Sequence, residues 1–359
     1  MDPLSTPVTP PVRTSAGARL TLSHRRDAMR MREPFRISGY LFDAMPAVIA
    51  SLSRDGLTGR GEAAGVYYLD DTPAHIEATI ETCRLAVEDG VDRTALQELL
   101  PVGGARNALD CALWELESLE ARTPVWKLAG APSPRPLLTT FTLGADDPGE
   151  LLRRLEAFPN PRALKLKLEG DLVADSERVR AVRAARPDVW IGVDANQGFE
   201  AADLDALVGM LVDQRVSLLE QPLRRGDEAS LDGWKSPVPL AADESIQGLE
   251  DLERHHGRFD VVNIKLDKCG GLTEALMMVE RAARLGMKVM VGNMAGSSLA
   301  TAPAFIVGQL SDIVDLDGAW FLADDPPAAG LYFNGEVMVP EALWGFSQTR
   351  LTGASEDPG

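Results

Sequence analysis

Ala163-Leu164-Lys165-Leu166-Lys167-Leu168 is the stretch on which the fold turns. In a strand its leucines share one face and its lysines the other. An edge strand would leave the lysines in water. The helical patterns flanking the run argue instead for a central strand of a parallel sheet, covered on both faces. The leucines then meet helices, and both lysines point into the interior of a closed sheet.

Working outward, short β-rich runs alternate with helical ones from Leu137 on. The strands read are Thr139–Leu143, Ala163–Leu168, Trp190–Asp194, Ser217–Glu220, Leu240–Asp243, Val261–Lys265, Lys288–Val291 and Ile313–Leu316. Helical patterns such as Ser176–Ala185 and Thr273–Leu285 separate them, the second stopped by Gly286. Eight such units over about 185 residues match a (β/α)₈ barrel, α/β in class, slightly tight against the usual ~250. Residues 17–130 read differently. Ala18–His24 and Ala47–Leu52 carry strand signals, and Asp55-Gly56 reads as a hairpin turn leading to Gly59–Ala64. Thr72-Pro73 opens a helix, and Ala105–Arg122 places Leu109, Ala112, Leu113 and Leu116 at helical spacing. This front part is an α+β unit. Residues 1–16, rich in Pro, Ser and Thr, read as a disordered tail and not as a signal peptide. The barrel is expected over 131–322, with 323–359 returning to the front domain.

Composition narrows the function. The 359 residues hold 36 Lys plus Arg against 54 Asp plus Glu, a net charge of −18. Such a surface repels phosphate backbones and anionic lipid, so no nucleic-acid or membrane partner is expected. No apolar run approaches the ~20 residues that span a bilayer. Cys83, Cys111 and Cys269 form no CxxC, which excludes a disulfide framework and a thiolate zinc site and suits the cytoplasm.

The same parity test locates the chemistry. Asp194, Glu220 and Asp243 each end a strand, with gaps of 26 and 23 residues. One acid at a strand end is usually a helix cap. Three on consecutive strands, ~4.8 Å apart, converge on one cation at the face where such barrels hold their sites. Hard oxygen ligands without His or Cys favour Mg²⁺, with Mn²⁺ as the alternative. Lys167 on the second strand and Lys265 on the sixth are opposite in a ring of eight. They can address both faces of one carbon: one lysine removes a proton next to a carboxylate, and the other returns one from the far side. The cation stabilises the enediolate, and the product is inverted. Asp315 and Asp317 share a face of the eighth strand, opposite the metal. They read either as an N-cap plus a surface acid or as partners for an ammonium. An anion, a cation and an epimerisable carbon between them describe a dipeptide.

Together these residues resemble the enolase superfamily, muconate-lactonizing subgroup, and most of all its dipeptide epimerases. The motifs are Lys165-Leu-Lys167, Asp194-Ala-Asn196-Gln197, Glu220-Gln221-Pro222, Asp243-Glu244-Ser245, Asn263-Ile-Lys265 with Gly270-Gly271, and Asp315-Leu-Asp317. The resemblance implies a (β/α)7β-type TIM barrel under an α+β capping domain. It implies one Mg²⁺ per subunit on Asp194, Glu220 and Asp243, acid/base catalysis by Lys167 and Lys265, and a homo-oligomer. Lys165 would support the substrate carboxylate, Thr142 would touch substrate, and Asp315 and Asp317 would bind the dipeptide ammonium. Lys268 is a rival for Lys265. Relatives acting on Ala-Glu carry an Arg in the loop after the first strand. The corresponding loop here, Ser38–Pro46, has no basic residue, so a second residue that is hydrophobic or cationic is expected, not Glu. The segment Gly292–Gly296 also lacks the acid some relatives have. The alternatives are an N-acylamino-acid racemase or o-succinylbenzoate synthase, whose substrates have no ammonium, and a non-catalytic metal-binding relative.

Overall fold

The computed structural model describes residues 19–37, 40–325 and 327–348. The expected tail, 1–16, lies outside the described residues, as do Ser38 and Gly39.

The front part is a three-stranded antiparallel sheet, β1 (Thr21–Ile37), β2 (Tyr40–Arg54) and β3 (Leu57–Ala63), in that order. Asp55 and Gly56, at φ 51° and 79°, make the tight turn between β2 and β3. Both central residues are left-handed, as the twist-matched hairpin turn requires. The inner face packs on α1 (Pro73–Glu88) and α3 (Gly104–Ala121), with α2 (Arg93–Leu99) between them. Thr72 caps α1 by accepting from His75 N, ahead of Pro73. A Cβ on Gly61 would stand 2.1 Å from Ala108 O, so only glycine lets α3 lie directly on β3.

The sequence reads Ser38–Pro46 as a loop, whereas β1 runs to Ile37 and β2 starts at Tyr40. The hairpin extends well beyond the sheet because it has something to dock on. Met29, Met31, Met45 and Ala47 bury against Leu322, and Ala323 N donates to Arg30 O at 2.8 Å. Pro46 is tolerated because β3 pairs with β2 only from Val48 onward, leaving that edge free.

α4 (Val125–Leu128) and β4 (Leu137–Leu138) lead into the barrel. Its strands are β5 (Phe141–Leu143), β6 (Ala163–Lys167), β7 (Trp190–Asp194), β8 (Leu218–Glu220), β9 (Leu240–Ala242), β10 (Val261–Ile264), β11 (Lys288–Gly292) and β12 (Ile313–Asp315). They form one parallel sheet in sequence order. Thr140 N donates to Val314 O at 3.0 Å, joining its two edges. Outside lie α5 (Pro148–Ala157), α6 (Leu172–Ala185), α7 (Leu204–Asp213), α8 (Leu249–His255), α10 (Leu272–Arg284) and α11 (Ser298–Gly308). A single turn, α9 (Leu266–Cys269), follows β10, and a 3₁₀ turn at Glu228–Leu231 replaces the helix between β8 and β9. Eight strands with seven connections are the (β/α)7β pattern. Leu164, Leu166 and Leu168 join the core shared with α6 residues Val179 and Val182, as the parity of β6 requires. After β12 the chain passes α12 (Ala328–Leu331), and β13 (Tyr332–Phe333) and β14 (Glu336–Val337) pair back onto β4. No helix among the described residues is long and apolar enough to cross a membrane.

Candidate active site

The barrel strand ends and the front domain face one another across a cavity. The barrel contributes Thr142, Lys165, Lys167, Asp243, Lys265, Asp315 and Asp317; the front domain contributes Met31, Phe35, Phe42, Met45, Tyr67 and Tyr68.

Register brings Asp194 and Glu220 level, with Asp243 two residues farther along. Lys167 pairs with Asp194, Asp194 with Glu220, and Glu220 with Ala241, two residues before Asp243. Asp194, Glu220 and Asp243 each offer an oxygen within 4.8 Å of the others, and all three are buried. Gln221 locks the arrangement: its Oε1 accepts from Asp243 N at 3.0 Å and Ser245 N at 3.2 Å, tying the end of β8 to that of β9. Asn263 Nδ2 donates to Glu220 Oε1 at 2.7 Å.

Four lysines surround the acids. Lys167 Nζ donates to Asp194 Oδ2 at 2.6 Å. Lys165 Nζ lies 2.5 Å from Asp315 Oδ2, 3.2 Å from Glu220 Oε2 and 3.6 Å from Asp194 Oδ2. Lys265 Nζ donates to Asp243 Oδ2 at 2.6 Å. Lys268, on α9, donates to Asp243 Oδ1 at 2.6 Å and to the carbonyls of Asp243 and Asn263 at 2.6 and 3.0 Å. Of this pair, Lys265 lines the cavity and Lys268 does not.

Burial works against the Lys265 ammonium, but Asp243 outweighs it and holds the pKa well above the ordinary value. Lys165 is likewise raised, with Asp315 and Glu220 overcoming burial. Lys268 is lowered, chiefly by burial. Burial would raise Asp194 and Asp243, yet the lysines pull both below the usual carboxylate range. Glu220 is pushed up to about 7 by burial and then by Asp194. Asp194, Glu220, Asp243, Glu244, Asp315 and Asp317 set six buried carboxyl groups against four buried lysines. Fully ionised, the cluster carries two excess negative charges in a low dielectric, and the all-oxygen donor set fits a hard divalent cation.

Asp315 and Asp317 are neither a cap nor surface acids. Both are under 5% exposed. Asp317 precedes the 3₁₀ turn Gly318–Phe321 without capping it, and its Oδ2 accepts from Thr142 N at 2.6 Å. Burial and then Asp315 push its pKa up to about 7. Asp315 accepts from the Thr140 hydroxyl.

Sequence reasoning missed several lining residues. Glu244 is 3% exposed, lines the cavity with an Oε2 that has no partner among the described residues, and has its pKa pushed up to about 8 by burial and then by Asp243. Tyr67 and Tyr68 come from a turn whose sequence carries no periodic signal. Met31 and Phe35 were findable by extending the alternation of β1 past its arginines.

A capped parallel barrel whose strand ends gather an acidic triad between lysines is the frame of an enolase-type acid/base enzyme. Comparison with known proteins agrees. Residues 19–130 match the mandelate racemase / muconate lactonizing enzyme N-terminal domain, and residues 150–342 match the enolase C-terminal domain-like family. The chain therefore belongs to the mandelate racemase / muconate lactonizing enzyme family of the enolase superfamily. It is 36% identical to an L-Ala-D/L-Glu epimerase of Escherichia coli over 87% of this chain and 97% of the relative. It is 35% identical to a hydrophobic dipeptide epimerase of Roseobacter litoralis over 87% and 94%. An Agrobacterium tumefaciens enolase family member solved with sodium and L-Ala-L-Glu aligns with TM-score 0.85 and 36% identity, over 91% and 100% of the two chains. A dipeptide epimerase of Enterococcus faecalis solved with Mg and L-Leu-L-Tyr aligns with TM-score 0.81 and 25% identity, over 90% and 97%.

Proposed function

We propose that this protein is a Mg²⁺-dependent epimerase that inverts the α-carbon of the C-terminal residue of a dipeptide by two-base proton transfer. The observation that carries the reading is that Lys167 and Lys265, from the second and sixth of eight strands, line one cavity together with Asp243 of the acidic triad and the Asp315/Asp317 pair. Asp194, Glu220 and Asp243 would hold the cation, which supplies charge neutralisation at the substrate carboxylate. Lys165 stands beside the triad, where its ammonium supports the same carboxylate. Asp315 and Asp317 take the substrate ammonium, with Asp317 oriented by Thr142 N. An N-acyl substrate has no cation for this pair. One lysine removes the α-proton, and the other delivers a proton to the opposite face.

The cap supports an apolar side chain on the epimerised residue. Met31, Phe35, Phe42, Met45 and Phe321 line the cavity, and aromatic and thioether walls favour apolar groups. Asp43, the one acid of the Ser38–Pro46 segment and the group there that could pair with a cationic side chain, is exposed and does not line the cavity. Mass-spectrometric screening of a dipeptide library in D₂O tests the reading. Deuterium uptake is expected at the C-terminal α-carbon, strongest for apolar second residues. Uptake confined to Ala-Glu would overturn the specificity assignment, and no uptake in any dipeptide would overturn the activity.

A further inference from the structure

On the dipeptide reading, each polar end of the substrate has a partner and the peptide carbonyl has none. The cavity holds a donor that is also left over. Asn293 follows Gly292 at the end of β11, and Gly292 pairs with Asp315. The Asn293 side chain lines the cavity. Its Nδ2 is shielded from solvent and has no hydrogen-bond partner among the described residues.

Two glycines make the niche. A Cβ on Gly318 would stand 2.5 Å from Asn293 Nδ2 and 3.0 Å from its Cγ, so the amide lies flat on the backbone just after Asp317. A Cβ on Gly292 would stand 2.7 Å from Asn263 Oδ1 and 3.1 Å from Lys265 Cε. The amide therefore belongs to a segment that touches the Lys265 side at one glycine and the Asp317 side at the other. The peptide group of a bound dipeptide must lie between those two places, because it joins the reacting carbon to the carbon bearing the ammonium. A shielded, unpaired donor is unfavourable in the free protein, and such a group is explained when a ligand supplies the acceptor.

We propose that Asn293 is a specificity-determining residue that donates from Nδ2 to the peptide carbonyl oxygen of the substrate. A neutral donor reads the amide without competing with Asp315 and Asp317 for the ammonium. It favours substrates whose acceptor oxygen is carried by the carbon bonded to the epimerised residue's nitrogen.

The inference rests on the dipeptide reading, and its test separates the two. Epimerisation is measured with the metal present on an apolar dipeptide and on its thioamide, in which the weaker acceptor sulfur replaces the carbonyl oxygen. Wild type is expected to prefer the oxo form by about tenfold in kcat/KM. Asn293→Ala should lower kcat/KM on the oxo form by a similar factor and lose the preference, with an unchanged melting temperature. Gly318→Ala, which pushes the amide out of its niche with Asn293 intact, should reproduce the loss. If Asn293→Ala keeps the preference or full activity, the assignment to Asn293 is wrong while the epimerase reading stands. If wild type turns over neither form, nor any other dipeptide, both fall.

Discussion

The two walls of the cavity are made of opposite materials. The barrel wall is charged: four lysines and six carboxyl groups, nearly all withdrawn from water and paired. The cap wall is Met31, Phe35, Phe42 and Met45, with Tyr67 and Tyr68 at its edge. The barrel residues are pinned by strand register, which sets a side chain's height and face together. The cap residues sit on a hairpin that reaches past its own sheet and is held by contacts with Leu322. The difference separates reactivity from selection. The rigid wall can position proton donors and a cation, and the docked wall can change its side chains without disturbing them.

The largest expected effect breaks the barrel wall. Lys167→Ala and Lys265→Ala should each lower epimerisation by ~10²–10⁴-fold, the usual contribution of a positioned acid or base. Two bases on opposite faces predict more than a loss. Each variant should still exchange the α-proton of the one isomer that presents it to the surviving lysine, as deuterium wash-in read by NMR on separate L,L and L,D substrates. Equal residual exchange from both isomers would refute two opposed bases.

Metal comes next. Glu220 titrates near 7 without a cation, raised by burial and by Asp194. Its proton must leave for it to bind a divalent ion. The sign follows: lowering pH below about 7 protonates Glu220 and weakens binding, and raising it strengthens binding. Calorimetric titration of the protein with Mg²⁺ in two buffers of different ionisation enthalpy should record proton release near pH 6.5 that fades by pH 8.5. A pH-independent affinity would contradict this.

The cap wall should give a smaller and different effect. Phe42→Ala and Met31→Ala each remove apolar surface worth ~1–2 kcal/mol if fully covered by substrate. That corresponds to about tenfold in KM for an apolar dipeptide, with kcat within about threefold, since no reacting group is touched. A drop in kcat without a change in KM would mean that the walls are not separate in function.

The same division governs what could be read in the sequence. Period-two alternation with helices outside places Lys165, Lys167, Asp194 and Glu220 on the inner face, and the structure puts them there. Glu244 stands in the Asp243-Glu244-Ser245 motif but gets no role from parity, which stops applying where the strand read as Leu240–Asp243 ends. Lys268 can be set behind Lys265 because three residues past a lysine that ends a strand leads out of register; only the structure shows the two lysines sharing Asp243, one on each carboxylate oxygen. The length of the hairpin is hidden in the sequence, where Gly39 and Pro46 punctuate it and arginines interrupt the methionines. Its extension depends on Leu322, almost three hundred residues on, a contact local pattern does not carry.

The smallest effect on activity is expected at the seam joining the two walls. Asp267 follows Lys265 by two residues, on α9, and its Oδ1 accepts from Gly65 N at 3.0 Å. Gly65 has φ 78°, and a Cβ there would stand 1.9 Å from Asp71 O, so the backbone leading to Tyr67 and Tyr68 is fixed at this point. Burial raises the Asp267 pKa to about 7, and Asp71 and Glu62 add to the rise. A folded pKa above the unfolded one means the native state keeps a proton the unfolded chain releases. Stability from this group is therefore complete below about pH 4 and is lost as pH climbs toward 7. Asp267→Asn keeps an acceptor for Gly65 N and cannot ionise. Thermal melts should find the variant level with wild type at about pH 3.5 and more stable at pH 8, by one to a few kcal/mol at about 1.4 kcal/mol per pKa unit. Its kcat/KM should stay within about twofold, because the carboxylate enters through geometry that the amide reproduces. A variant less stable than wild type at pH 8 would mean that the charge, and not the acceptor, ties the cap to the barrel.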